Sequence, residues 1–483
     1  MVEKMIYTYI NKLHIMSHTI IWSIKNPENI QLVPINSWTI NLLKLIDDLI
    51  PRFGIFQNIP TIGGDIYDFS SKGLLKFILD KIHNRYDEKA IDLRIIHVPM
   101  TLILDAELSK DILLSKNVKR GKIYERFTDF FGGGIFTSNI HEKWHHQRRT
   151  IFRLFQRKTL EEITPMLAEN MFKVLDEKIK SGQEIELQVL LSQMGLVAFC
   201  RVIFGVDVFD TYMDFMDPLN KLLAYMNGAV EPFIIKLDPS YQEFSKNKEL
   251  LHSWIRKLIN EAKENPECNY IIKEELNRND VTETETIEFI LSLVFAGHET
   301  TAKLMLAIIY HLYYNQNCVD KMNSETKEYL KTHSQYQMDI IRQPYLKNII
   351  KEGTRLYPSA WIIAREAQED LEFGELTFKK GAQFLISPLI FLRSEKIWGS
   401  DAEVFNPDRF NQLPDQARKT FLPFVTGIES CPGKIFAELE TSIVISKLFC
   451  EYQLKFLDHT VTPNSAVTLR LTDRLPVIIR KKN

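Results

Sequence analysis

With 483 residues, 45% of them hydrophobic and 11% aromatic, the chain is long enough for one large single-core enzyme or for two to three average domains. Its 60 Lys plus Arg nearly cancel its 62 Asp plus Glu, leaving a net charge of −2, so no global field attracts nucleic acid. Five cysteines (Cys200, Cys268, Cys318, Cys431 and Cys450) without C-x-x-C spacing argue against a disulfide framework or a structural zinc site, and for a reducing, cytoplasmic location.

At the N-terminus, Met5–Met16 and Trp38–Leu49 carry amphipathic helical spacing, and residues 1–54 are expected to form a helical extension packed on the body. The most apolar stretch there, Ile15–Ile24, is interrupted by Ser17, His18, Thr19 and Ser23. It falls short of the roughly 20 apolar residues of a spanning helix, so neither a signal peptide nor a transmembrane anchor is expected. No repeat, low-complexity tract or Gly/Ser-rich linker breaks the remainder, and residues 55–483 read as one mainly helical domain with a minor sheet component. The strand-like runs are Ile91–Val98, Ile362–Glu366, Glu375–Thr377, Gln383–Ile386 and Ala466–Ile479.

Segment 143–158 holds Lys143, Arg148, Arg149, Arg153, Arg157 and Lys158 and no acid, with Arg149, Arg153 and Arg157 on one helical stripe. Within it, Trp144 and Arg148 stand at i and i+4, where an indole N–H and a guanidinium could bind one carboxylate jointly; a basic surface helix is the plainer reading. Thr282 with Glu285 forms a capping-box pattern ahead of a helix of about 30 residues, apolar on more than one side and therefore central. Inside it, Ala296-Gly-His-Glu-Thr-Thr301 sets an acid, Glu299, beside a hydroxyl, Thr300. Gly297 costs a helix about 1 kcal/mol relative to Ala, which implies a close approach to the backbone or a local distortion. Thr300 either faces a ligand with Glu299 as its proton source, or bonds back to the preceding turn.

A second helix starts near Pro344 and must stop before Pro358. It carries Glu352 and Arg355 at i and i+3, and Arg409 in Phe405-Asn-Pro-Asp-Arg-Phe410 could complete a buried network with them. A third helix follows Phe424-Val-Thr-Gly-Ile-Glu-Ser-Cys431-Pro-Gly433. A cysteine at a helix N-terminus meets unpaired N–H groups and the positive end of the dipole, which favour the metal-binding thiolate. Gly427 and Gly433 suit a tight turn beside a flat cofactor.

Taken in this order, the motifs resemble the cytochrome P-450 superfamily from about Ile55 to the C-terminus. W-x-x-x-R, A-G-x-E-T-T, E-x-x-R, F-x-P-x-R-F and F-x-x-G-x-x-x-C-x-G occur with 53 residues from Glu299 to Glu352, 54 from Arg355 to Arg409 and 22 from Arg409 to Cys431. The resemblance implies a triangular, mainly α single domain with haem b on Cys431, Phe424 and Gly433 in the haem loop, and Trp144, Arg148 and Arg365 on the propionates. It implies Thr300 with Glu299 as the proton relay for O2 cleavage, and Glu352, Arg355 and Arg409 as structural. The activity implied is insertion of one oxygen atom from O2 into a hydrophobic lipid, fatty acid or terpenoid-like molecule by a monomer. Electrons would come from NAD(P)H through a separate ferredoxin, flavodoxin or flavoprotein reductase, because no such domain follows Asn483.

Two positions depart from the family pattern. Glu429 stands where an Arg is usual two residues before the Cys, and Leu392 where a His often precedes Arg393. Glu429 brings negative charge toward the propionates, and it is expected to turn outward, pair with a cation such as Lys434 or take up a proton, and to weaken haem binding. Besides a monooxygenase, the motifs admit a peroxide-using or isomerising haem-thiolate enzyme, or a haem-binding sensor or scaffold.

Overall fold

The computed structural model describes residues 74–95, 98–138, 140–180, 182–228, 241–465 and 467–482; the expected extension over 1–54 lies outside them. Among the described residues the chain forms sixteen α-helices and twelve strands, a mainly helical body with small sheets, as the patterning implies. It opens with α1 (Leu74–Ile82), the hairpin β1 (Ala90–Ile95) and β2 (Val98–Ile103), α2 (Ala106–Leu114), β3 (Val118–Arg120) and the single turn α3 (Thr128–Phe131). The helical half follows as α4 (His141–Leu154), α5 (Arg157–Ile179), the short β4 (Ile185–Glu186), α6 (Leu187–Phe204), α7 (Tyr212–Gly228), α8 (Tyr241–Glu264), α9 (Tyr270–Leu276), α10 (Glu283–Tyr313) and α11 (Gln316–Thr332). Then come α12 (Pro344–Leu356), β5 (Ile363–Ala367), the hairpin β6 (Leu371–Phe373) and β7 (Leu376–Phe378), and β8 (Gln383–Ile386). Three short helices, α13 (Pro388–Phe391), α14 (Glu395–Trp398) and α15 (Asp415–Thr420), lead to α16 (Lys434–Glu451), β9 (Tyr452–Phe456), β10 (Asn464–Ser465), β11 (Leu469–Arg470) and β12 (Pro476–Lys481).

Helix α10 is the axis of the body. The Thr282 hydroxyl accepts from the Glu285 N–H while the Glu285 carboxylate accepts from the Thr282 N–H, closing the capping box that the sequence suggests. Its apolar residues are buried on all sides, because α6, α8, α12 and α16 pack around it. Gly297 has a steric reason: a Cβ there would stand 2.5 Å from the Phe199 ring of α6, so the glycine sets the α6–α10 spacing. Helix α6 is long and apolar enough to cross a bilayer, as is α10, yet both are enclosed by protein.

The main sheet runs β1-β2-β8-β5-β3, antiparallel except where β2 pairs with β8. β3 lies on β5 with Arg120 directly opposite Arg365. A three-stranded sheet β4-β12-β9 closes the other side. The sequence reading missed β9, although its Tyr-Gln-Leu-Lys-Phe alternation is buried at every second residue, because the strand continues α16 without a break.

Helix α12 carries the expected ion network, fully buried. Arg355 donates from Nε and Nη2 to both Glu352 oxygens at 2.7 and 2.8 Å, and Arg409 Nε reaches Glu352 Oε1 at 3.0 Å. Arg409 adds Asp401 at 3.0 Å, and Arg355 also donates to the Leu392, Ala402 and Val404 carbonyls. Arg355 thus binds Glu352 along its own helix and, through three backbone carbonyls, holds the 392–404 segment against α12. Glu352→Ala leaves two buried guanidiniums without their shared counter-charge and should lower unfolding free energy by about 3–5 kcal/mol. A denaturant midpoint within error of wild type would refute the assignment of the network as a structural lock.

Candidate active site

A cavity of about 310 Å3 opens between α10 and the loop that precedes α16, within the range typical of ligand sites. The loop forms one wall. Its Cys431 N–H donates to Phe424 O at 2.9 Å and its Ser430 N–H to Gly427 O at 3.1 Å, folding the segment back on itself. Gly427 takes φ +76°, and a Cβ there would meet Leu113 O at 2.8 Å. Val425 is also left-handed at φ 61°, a conformation that costs a β-branched residue about 1–3 kcal/mol and clusters at functional loops. Phe424, Val425, Cys431 and Gly433 all line the cavity.

Gly433 caps α16, and its N–H points to the Cys431 sulfur. The side chain of Cys431 is accessible from the cavity and walled in by protein elsewhere. Burial raises its thiol above the ordinary value; the Gly433 N–H, Arg148 and Lys434 pull the other way without cancelling it. The helix-terminus argument therefore names forces that are present, but within the protein alone burial outweighs them.

Along one edge stand the cationic and indole groups. Arg148 donates to Ser430 O at 2.5 Å and stacks 5.3 Å from the Trp144 ring, with Arg120 5.9 Å from that ring. Arg365 reaches the cavity from β5, and Arg120 from β3. Sequence reasoning missed Arg120, because only the β3–β5 register brings it to the site. Glu429 turns neither outward nor to Lys434: its carboxylate lies 3.0 Å from Arg365 Nη2 and 3.6 Å from Arg120 Nη2. Lys434 sits over the Phe424 ring instead, at 5.8 Å.

Most of the remaining lining is apolar, with Ile135, Phe136, Leu293, Ala296, Ala360 and Ile363 together with Gly297, Thr300 and Thr301, while Tyr124 lies 5.7 Å from the Arg120 guanidinium. Segments 124–136, 295–300 and 359–363 contribute to the lining. The described part of 215–233 does not: Phe215 packs 4.7 Å from Trp254 and 5.6 Å from His298. The Thr300 hydroxyl faces the cavity wall and donates back to Ala296 O at 3.0 Å. Glu299 is not beside it. The carboxylate is 1% exposed, does not line the cavity, and lies 3.6 Å from Lys303 Nζ and 3.4 Å from Arg470 Nη2 on β11. Burial would raise this carboxyl, but Lys303 and Arg470 override it and bring it down to about 2. The Thr300 hydroxyl and the Glu299 carboxylate thus have separate partners, Ala296 O for the one and Lys303 and Arg470 for the other.

These groups fit a haem. The indole Nε1 of Trp144 is buried on the cavity edge with no hydrogen-bond partner among the described residues, a vacancy that a propionate oxygen satisfies. No group of three or more His, Cys, Asp or Glu able to hold an ion occurs among the described residues. A metal on Cys431 must therefore bring its other ligands with it, as a porphyrin does. Trp144, Arg148, Arg365 and Arg120 would hold the propionates and Cys431 the iron.

A family model described as cytochrome P-450 matches residues 54–476. The chain belongs to the cytochrome P-450 family. It is 48% identical over 452 residues to a cytochrome P-450-like protein of Acanthamoeba polyphaga mimivirus, covering 93% of this chain and 96% of that protein. It is also similar to cytochrome P-450 4c21 of Blattella germanica (25% over 397 residues, 74% of this chain and 78% of that one). A cytokinin hydroxylase of Arabidopsis thaliana shows 25% over 388 residues, 75% of this chain and 74% of that one. As a cytochrome P-450 the chain is an oxidoreductase of the haem-thiolate monooxygenase type, with haem and O2 as cofactor and co-substrate.

Reduced, CO-bound protein should show the long-wavelength Soret band of thiolate ligation, and Cys431→Ser should lose it while Cys200→Ser, deep in the core, keeps it. Retention of the band in Cys431→Ser would move the iron ligand to another residue.

Proposed function

We propose that this cytochrome P-450 hydroxylates a hydrophobic, uncharged lipid or terpenoid-like molecule, using electrons delivered from NAD(P)H by a separate protein donor. The observation that carries the reading is the cavity's lining: its three arginines, Arg120, Arg148 and Arg365, are engaged by Glu429 and Ser430 of the Cys loop, and most of the other lining residues are apolar. The wall made by Ile135, Phe136, Leu293, Ala296 and Ile363 offers apolar surface. That wall favours a neutral substrate over a fatty acid held by its carboxylate, since Arg120, Arg148 and Arg365 belong to the cofactor edge.

Haem held by a thiolate supplies the activation of O2. The chain's own part is to keep water out with the apolar wall and to manage protons at Thr300. The Thr300 hydroxyl rests its proton on Ala296 O, and the hydroxyl of Ser359 donates to Thr300 O at 2.9 Å, fixing that turn of α10. Breaking the Thr300–Ala296 bond costs about 1 kcal/mol, which leaves the hydroxyl free to donate into the cavity. A second reading, a peroxide-using or isomerising haem-thiolate enzyme, draws its support from Glu299, which is held by Lys303 and Arg470 away from the cavity.

Thr300→Ala should bind haem and ligand as wild type does but form less product per NAD(P)H consumed, diverting reducing equivalents to peroxide. Unchanged coupling would reduce Thr300 to a helix-packing residue, whereas product formed without NAD(P)H consumption would favour the second reading.

The donor is proposed to dock where α4 meets the Cys loop. There Phe152 and Ile428 are exposed beside the exposed Arg149, and Arg148 bridges the two elements. The other arginines of the stripe are paired, Arg153 with Glu274 at 2.9 Å and Arg157 with Glu161 at 2.7 Å. Such exposed pairs are worth about 0–1 kcal/mol and yield readily to an acidic partner. Reversing Arg149 and Arg153 to Glu should slow the first electron transfer and flatten its salt dependence. A rate indifferent to both the charge reversal and ionic strength would place the donor elsewhere.

A further inference from the structure

Arg120 and Arg365 are register partners on the antiparallel pair β3–β5, so two guanidiniums stand side by side across the ladder. Like charges directly opposite one another destabilise such a pair, and these two are largely withdrawn from water, at 14% and 7% side-chain exposure. Arg148 adds a third positive charge on the same cavity edge. The cluster needs a carboxylate. Glu429 supplies one from the haem loop, 3.0 Å from Arg365 and 3.6 Å from Arg120, and its field also favours the charged form of Arg148.

We propose that Glu429 is a resident counter-ion of the haem seat, a carboxylate of the chain's own that shares Arg120 and Arg365 with the cofactor's propionates. Two propionates and Glu429 together match the three arginines in charge, whereas without Glu429 the seat carries one uncompensated cation. A propionate reaching Arg365 thus meets a guanidinium already half-spent. Haem is held less tightly than the number of arginines implies, and the extra negative charge beside the iron's environment favours the ferric state. The inference rests on haem binding by this cavity and not on the identity of the substrate or of the electron donor.

The test is haem transfer from the holoenzyme to apomyoglobin, with the ferric/ferrous reduction potential measured on the same samples. Glu429→Gln keeps the shape and an oxygen acceptor but removes the charge. It should slow haem transfer by roughly tenfold, the size of one partly screened charge contact, and move the potential to a more positive value. Glu429→Ala, which also removes the acceptor, should act in the same direction. In the Glu429→Gln background Arg120→Gln should speed haem loss more than it does in wild type, since Arg120 there serves the propionate alone. Unchanged or faster haem loss in both Glu429 variants, with Arg120→Gln equally costly in both backgrounds, would overturn the proposal and make Glu429 a brace for the arginines. A wild-type protein that binds no haem with a thiolate Soret band would overturn the haem reading itself.

Discussion

A guanidinium sealed from water must place its N–H donors on protein acceptors, and Arg355 does so on Glu352 and on three carbonyls of the 392–404 stretch. This is the constraint on which the haem side of the molecule depends. The stretch has little regular structure of its own, only the short helix α14. Its path is therefore set by side chains: Arg355 from above, Arg409 from within, and Glu352 between them. Trp398 stacks on the Arg355 plane at 5.0 Å and donates to Phe391 O, so the aromatic face and the ion pair fix the same turn. The chain continues from Arg409 through α15 to the Cys loop, which starts at Phe424. A pair that adds little net stability over an apolar core can still specify a unique path for an irregular chain, and here the irregular chain carries the metal ligand.

Charge burial follows the same logic in three places. Glu352 is flanked by two arginines, Glu299 by Lys303 and Arg470, and Glu429 by Arg365 and Arg120. Each is one carboxylate shared by two cations from different elements. The first joins α12 to the segment ahead of the Cys loop, the second ties α10 to β11, and the third joins the main sheet to the haem loop. In the second, burial pulls Lys303 down to about 8, while Lys303 and Arg470 hold Glu299 down against its own burial. In this fold Glu299 ties the central helix to the C-terminal hairpin.

The fold was legible wherever local chemistry decides it. The capping box at Thr282, Pro344 at the start of α12 and Cys-Pro-Gly ahead of α16 each mark a boundary by a mechanism confined to one turn, and the helices begin there. Gln383–Ile386 is a strand as read, because four buried residues between turn signals have few other states. What local sequence does not encode is register and partner choice. Arg120 enters the site only through its pairing with Arg365 some 245 positions away, and Glu429 finds both through a loop whose turn needs left-handed Val425 and Gly427. The acid–alcohol adjacency of Glu299 and Thr300 separates in space for a related reason. Neighbours on a helix point about 100° apart, so only one of them can face a cavity while the other meets whatever packs behind.

That geometry also shapes the chemistry on the distal side. The face of α10 that meets the cavity is Leu293, Ala296, Gly297, Thr300, Thr301 and Leu304, with two threonines among them. Gly297 is committed to the Phe199 ring behind, and the carbonyl of Thr300 is committed to Ser359 in front. The backbone of this turn is thus clamped from two sides while the Thr300 side chain keeps one weak bond, to Ala296. Rotation about the Thr300 χ1 breaks only that bond. A proton moved by that rotation needs no helix distortion and no displacement of Glu299, so the helix can stay rigid while the Thr300 hydroxyl changes partners.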